Sequence, residues 1–231
     1  MFFGGLQRTT LVDYPGKVAA TVFTFGCNFR CPNCHNPELV LPELIEKQPR
    51  ITEKEVLDFL KSRQGLIEGL CITGGEPTMH SDLGDFIKKV KKLRVQVKLD
   101  TNGSFPVILK KLINQYLIDY VAMDVKAPPE KYDIATGVKV SLEDIKKSIN
   151  LLKEGKVNFE FRTTLVPNIL TEDDILKIVE WIKPASQYFL QRFRGKKTLS
   201  PEWEGLSGWP EEEMQFLLEK IKPYFKNCAL R

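Results

Sequence analysis

Histidine is scarce in this chain: only His35 and His80 occur in 231 residues. Of the five cysteines, three lie together and the other two, Cys71 and Cys228, stand alone. A zinc module that closes its four-ligand shell with a second C-x2-C or H-x3-H pair therefore lacks that pair. No stretch approaches the roughly 18 consecutive apolar residues of a membrane span. The opening Met1-Phe-Phe-Gly-Gly has neither a basic n-region nor the apolar h-region of a secretory leader. A cytoplasmic protein with no membrane partner is expected, and clustered thiols suit a reducing compartment. The charge excess is also small, +4, and the basic run Lys88–Arg94 reads as the solvated face of a helix, so no nucleic-acid partner is expected. Low-complexity linkers and internal repeats are absent. With 42% apolar and 28% charged residues, the composition is that of an ordinary globular chain. At this length it can bury a core without disulfides, and one domain spanning 1–231 is the natural reading.

What the chain does have is Cys27-Asn-Phe-Arg-Cys31-Pro-Asn-Cys34, a C-x3-C-x2-C run that follows directly on the apolar stretch Val18–Phe25. Such a run can bring three thiolates to one centre. Thiolates suit zinc and iron–sulfur clusters, and a cubane held by three cysteines leaves one iron free to bind a substrate or cofactor. His35 could complete a zinc shell, but adjacent Cys34 and His35 would form a cramped chelate. The spacing favours the cluster.

Around this run, short β-branched and aromatic segments alternate with longer helical ones, the pattern of repeated βα units on a parallel sheet. Six strands are predicted: Val18–Phe25, Leu70–Thr73, Val95–Asp100, Tyr120–Val125, Phe159–Val166 and Tyr188–Phe193. Thr52 with Glu55, Ser141 with Asp144, and Thr171 with Asp174 mark helix starts. Leu83, Phe86, Ile87 and Val90 form one apolar stripe, and Ile145, Ile149 and Leu152 another. Pro184 should stop the helix that begins near Thr171, and Pro210 should open a last one carrying Met214, Leu217, Leu218 and Ile221. Eight units would suggest a closed barrel. Six, with no spare sequence between them, fit an α/β open (β/α)6 partial TIM barrel with helices outside. In parallel α/β architectures, ligands gather at the C-terminal strand ends. Cys27–Cys34, Gly74–Pro77, Asp100–Gly103 and Asp124–Lys126 each follow or end a different predicted strand, so they are expected to share one pocket.

The cysteine run, with Gly74-Gly75-Glu76-Pro77 after the next strand, resembles the radical S-adenosylmethionine (radical SAM) superfamily. Leu11-Val-Asp-Tyr-Pro-Gly-Lys17, Cys34-His-Asn-Pro-Glu38, Asp100-Thr-Asn-Gly103 and Met123-Asp-Val-Lys126 narrow the likeness to the glycyl-radical-enzyme activating proteins. Among these, the activating protein of anaerobic ribonucleoside-triphosphate reductase is the most similar. The likeness is detailed from Thr9 to Lys126 and persists as pattern to Arg194.

The resemblance implies a [4Fe-4S] cluster on Cys27, Cys31 and Cys34, with S-adenosylmethionine (SAM) on the open iron. One-electron reduction would cleave the cofactor to methionine and a 5′-deoxyadenosyl radical, which abstracts hydrogen from a partner's glycine. Gly75 and Glu76 would accept the cofactor's amino hydrogens. Lys126 would pair with its carboxylate or ribose oxygens, with an ion pair to Asp124 or Asp100 as the alternative. Asn102 could reach the ribose, or simply form a turn with Gly103. Arg162 aligns with an arginine near the cofactor, or makes a buried ion pair. Asp100, Thr101 and Asp124 match positions of a monovalent-cation site in a related activating protein. Where much of the superfamily has an aromatic residue before the third cysteine, this chain has Asn33, leaving adenine to backbone groups and to His35 or Phe29. A late histidine of some activating proteins is also missing; that region reads Gln191-Arg-Phe-Arg194, where Arg192 could bind an anion. With no second cysteine cluster, an inserted ferredoxin-like domain is absent.

The implied partners are the glycyl-radical large subunit of anaerobic ribonucleotide reductase and a flavodoxin- or ferredoxin-type reductant. Two other readings stand beside this one. The first keeps the chemistry but acts on another glycyl-radical enzyme or a small molecule. The second is a non-enzymatic zinc-binding module with Cys27, Cys31, Cys34 and His35 as ligands.

Overall fold

In the computed structural model, which describes residues 1–231, nine strands form one sheet. They are β1 (Phe2–Thr10), β2 (Ala19–Thr24), β3 (Ile51–Thr52), β4 (Gly69–Gly74), β5 (Gln96–Thr101), β6 (Tyr120–Asp124), β7 (Asn158–Leu165), β8 (Gln187–Arg192) and β9 (Asn227–Leu230). The spatial order is β3-β1-β2-β4-β5-β6-β7-β8-β9. From β2 to β9 every neighbouring pair is parallel, while β1 runs antiparallel to both β2 and β3. The sheet stays open, with β3 and β9 at its edges. All six predicted strands are present, with ends shifted by at most one residue. β9 adds a seventh parallel strand, and β1 with β3 adds an antiparallel flank. These three escape the sequence reading because β3 has two residues, β9 has four, and β1 carries Gly4 and Gly5 with an irregular register against β2.

The helices are α1 (Pro42–Ile45), α2 (Glu53–Ser62), α3 (Leu83–Lys92), α4 (Pro106–Asn114), α5 (Tyr132–Thr136), α6 (Leu142–Lys153), α7 (Glu172–Ile182) and α8 (Glu211–Ile221). Thr52–Glu55 and Thr171–Asp174 form reciprocal capping boxes, and the Ser141 hydroxyl accepts the Asp144 N–H. Each such cap contributes about 1 kcal/mol. The predicted stripes of α3, α6 and α8 are buried with the helix-facing side chains of the sheet, such as Val97, Leu99, Val121 and Phe161, in one core of 49 residues.

Alternation along a strand sends every second side chain to the other face. On β5, Val97 and Leu99 join the apolar core, whereas Lys98 and Asp100 bond each other on the concave side. The same face carries Cys71, Tyr120, Asp124, Glu160 and Arg162, tied together by hydrogen bonds. A parallel sheet covered on both faces normally reads as a continuous apolar run; here one face is polar, which points to a site.

The segment Leu11–Lys17 lies at the opposite end of the strands. Tyr14 packs on Tyr120 with ring centroids 6.0 Å apart, its ring also covers Gly69, and Asp13 accepts the Thr21 hydroxyl at 2.6 Å. A groove of about 520 Å³ opens there, lined by Tyr14, Lys17, Tyr116 and Asp119 among others. It contains no thiol and none of the residues expected to hold a cofactor. No helix is long and apolar enough to cross a membrane.

Candidate functional site

The C-terminal strand ends surround a cavity of about 350 Å³, within the range of small-molecule sites. Cys27, Cys31 and Cys34 line it. So do all seven residues expected at a cofactor: His35, Gly75, Glu76, Asp100, Asn102, Lys126 and Arg162. Thr101 and Asp124 complete the set drawn from the third and fourth predicted strands.

Backbone bonds hold the cysteine loop without help from a metal. Gly26 N–H donates to Leu39 O at 2.7 Å, Arg30 N–H to Thr136 O at 2.8 Å, and Cys34 N–H to Cys31 O at 3.0 Å. The Arg30 guanidinium folds back on the carbonyls of Cys27 and Phe29. The Cys27 sulfur accepts from Phe29 N–H at 3.4 Å and from the Asn102 amide at 3.9 Å. Burial pushes the Cys27 thiol up to about 12 and the Cys31 thiol up to about 11, and it raises Cys34 too. Metal ligation requires the thiolate, so loading the site releases protons.

The glycines of Gly74–Pro77 answer to this loop. A Cβ on Gly75 would lie 1.9 Å from Gly26 O, and one on Gly74, at φ +113°, 2.5 Å from Thr24 N. The turn after β4 thus abuts the backbone leading into Cys27, a contact only glycine allows. Glu76 is 1% exposed, and its carboxylate accepts from Thr78 N–H, the hydroxyls of Thr78 and Thr101, and Asn102 N–H. Burial raises its pKa against the pull of these donors. Glu76 therefore caps the short 3-10 turn Pro77–Met79 and ties the β4 end to the β5 end. Glu76, expected from the sequence to accept the cofactor's amino hydrogens, is engaged here by four protein donors as a turn anchor. Glu76→Gln replaces one acceptor oxygen by a donor facing N–H or O–H groups. The expected cost is about 1.5–3 kcal/mol, which lowers the melting temperature of the metal-free protein by roughly 3–12 °C. An unchanged melting temperature would remove the anchoring role.

Asn102 is likewise engaged by the protein. Its amide donates to Asn28 Oδ1 at 3.0 Å, and its carbonyl accepts from Ser104 N–H at 2.9 Å and from the Ser104 hydroxyl.

Below the thiols lies a charge chain. Lys98, 2% exposed, bonds Asp100; Arg162 donates to Asp100 at 3.1 Å and to Asp124 at 2.8 Å; Lys126 donates to Asp124 at 2.9 Å. Desolvation raises both carboxyls, but Arg162 with Lys98 at Asp100, and Arg162 with Lys126 at Asp124, hold them below the usual carboxylate range. Desolvation lowers Lys126, and Asp124 more than restores it. Both ion-pair alternatives for Lys126 and Arg162 are therefore realised. At the positions expected for a monovalent cation, the carboxylates of Asp100 and Asp124 each face two protein cations here. Lys98 escaped the sequence reading. Its signal was period two: a lysine two residues before Asp100, flanked by Val97 and Leu99, points to Asp100's side of the strand.

A single zinc ion takes all ligands at about 2.0–2.3 Å from one point, and the three thiols do not converge in that way. In a cubane each thiolate binds a different iron, which a ring of thiols around a cavity suits. His35 is not aimed at the thiols; its Nε2–H donates to Arg194 O at 2.7 Å, and its ring stacks on Phe193 at 6.0 Å. Phe29, although buried, lines the cavity as well, so both rings of the cysteine loop, His35 and Phe29, face it. Arg192 also lines the cavity but is paired with Glu211.

The Radical SAM superfamily profile matches residues 21–182. A Methanocaldococcus jannaschii protein assigned as a glycyl-radical enzyme activating enzyme is 35% identical over 98% of this chain and 94% of its own length. The pyruvate formate-lyase-activating enzyme of Streptococcus mutans is 30% identical over 92% of this chain and 81% of its own. Among solved structures, Streptococcus suis SuiB bound to S-adenosylmethionine superposes with a TM-score of 0.67 at 13% identity, over 90% of this chain and 45% of that one, a likeness of fold.

Proposed function

The chain belongs to the radical SAM superfamily and, within it, to the glycyl-radical enzyme activating proteins; on that premise we propose that it installs a glycyl radical on the large subunit of anaerobic ribonucleoside-triphosphate reductase. The family works with a [4Fe-4S] cluster and SAM. The observation that carries the reading is the placement of three thiols, the Gly75–Glu76 turn and a cation-rich floor around one cavity at the strand ends.

The chemistry supplied there by the bound cluster and cofactor is reductive cleavage of the C5′–S bond, which gives methionine and a radical able to take hydrogen from glycine. The chain's own part is to bind and orient. Cys27, Cys31 and Cys34 would hold three irons. Lys98, Lys126 and Arg162 against Asp100 and Asp124 leave one positive charge over, matched to the carboxylate of an amino-acid ligand. His35 offers a stacking face for adenine in place of the residue missing at Asn33. About 350 Å³ is near the low end for a ligand site. The hydrogen donor would be a glycine presented from outside, on a loop of a partner. The electron would come from a flavodoxin- or ferredoxin-type protein.

The test combines the anaerobically reconstituted protein with a candidate reductase, SAM and a reductant, and reads the glycyl radical by electron paramagnetic resonance. A glycyl doublet on the reductase is expected. Cofactor cleavage without the doublet would overturn the target; absence of cleavage would overturn the site.

A further inference from the structure

Most polar side chains around the strand-end cavity are spent on the protein itself. The charge chain on β5, β6 and β7 closes on its own members, and Glu76 and Asn102 are held by neighbouring groups. Two side chains on the last strands of the cavity wall hold no hydrogen bond: Thr164 near the end of β7 and Gln191 near the end of β8. Asn33, Asn36 and Thr73 are free too, but they belong to the cysteine loop and to the strand that ends in the Gly75–Glu76 turn, the cluster and cofactor side. Thr164 and Gln191 are direct partners in the parallel register of β7 and β8, so their Cα atoms lie about one strand spacing apart, ~4.8 Å. They share the concave face. Arg162, two residues before Thr164, reaches Asp100 and Asp124 there, and Phe189, two residues before Gln191, lies under the Arg231 guanidinium that bonds buried Glu160. The sheet order puts β5 and β6 between this pair and β4.

We propose that Thr164 and Gln191 are positioning residues for the partner polypeptide, hydrogen-bonding main-chain amide groups beside the glycine that gives up its hydrogen; the inference rests on the glycyl-radical function proposed above. Glycine has no side chain, so a site can recognise and orient it only through the N–H and C=O groups on either side of its Cα. A carboxamide carries the same donor and acceptor as a peptide bond, and a hydroxyl can serve as either, both without charge. A polypeptide segment entering the cavity gives up water at these groups and needs such partners. The side chains of the charge chain could supply them only by breaking ion pairs. Thr164 and Gln191 supply them at no such cost.

The test measures binding to the anaerobically reconstituted protein, with SAM and no reductant, of a synthetic peptide carrying the glycine loop of the candidate reductase. Companion peptides replace the amide bonds next to that glycine by esters, one at a time, which deletes single N–H donors. Thr164→Val and Gln191→Met remove the polar groups and nearly keep the shape. Each variant should bind the amide peptide roughly three- to tenfold more weakly than the wild type. SAM affinity and the metal-free melting temperature should not change, because neither side chain is bonded to the protein. For at least one ester, the losses from peptide and variant should fail to add, the mark of a shared hydrogen bond. Unchanged peptide affinity in either variant, weaker SAM binding in either, or losses that add in full for every ester would each overturn the proposal while leaving the function intact. A wild type that binds SAM but no peptide would overturn the choice of partner, and one that binds no SAM the cofactor site; the proposal falls with either.

Discussion

Serine in place of Cys27, Cys31 or Cys34 is expected to leave each variant without iron–sulfur absorption and without SAM cleavage, while Cys71→Ser and Cys228→Ser keep both. With two thiolates the cubane would have two irons without a protein ligand and would be lost. The loop itself should survive, because Gly26, Arg30 and Cys34 hold it through backbone bonds that do not use the thiols. Metal-free melting temperatures of the three variants should therefore stay near the wild type. Cys71 is buried beside Lys98 and Asp100, at 3.8 and 3.7 Å, so a serine hydroxyl finds partners there. Cys228 is buried in the apolar core, where a hydroxyl without a partner costs about 1–3 kcal/mol but does not touch iron. Iron analysis and cofactor turnover on the five variants decide the matter; a full iron complement in Cys31→Ser would sink the assignment.

The parallel part of the fold was legible because a βα unit leaves two signals at once, a β-branched run and an amphipathic helix, which in α2, α6 and α7 is also capped. Thr171–Asp174 and the Ile175–Ile182 face are one such pair. β1 left neither. Its glycines break the pattern because Gly4 must pass close to the side chains of Leu39 and Phe25, a tertiary requirement that propensity does not carry. The gathering of the site followed from topology, since motifs at successive ends of parallel strands must meet. Partner choice inside the site did not. Whether Asp124 meets a metal, a cofactor or Arg162 depends on side-chain reach across β6 and β7, where Asp124 and Arg162 sit in direct register. Nor could the sequence tell that Glu76 is spent on four protein donors, because Thr101 and Asn102 lie 25 and 26 positions away.

Arg162→Met is expected to be the most destabilising single change among the charged residues of the cavity. The guanidinium, 13% exposed, is the one group that touches both Asp100 and Asp124. Its removal leaves each carboxylate with a single lysine at a buried position, a loss of about 3–5 kcal/mol, or a melting temperature lower by roughly 6–20 °C. The effect carries a pH signature. Both carboxyls are held below their unfolded value by their cations, so they contribute stability above the unfolded pKa of about 3.9. That contribution fades as pH falls through their lowered folded values. The variant lacks much of it from the start. The gap between wild type and Arg162→Met should therefore be full at neutral pH and narrow once the pH drops below about 4. Thermal melts of the metal-free proteins across that range measure it without involving the cluster. A gap that holds constant into acid would mean that Arg162 acts through packing alone. The charge chain would then lose its place as the frame that sets the cavity floor.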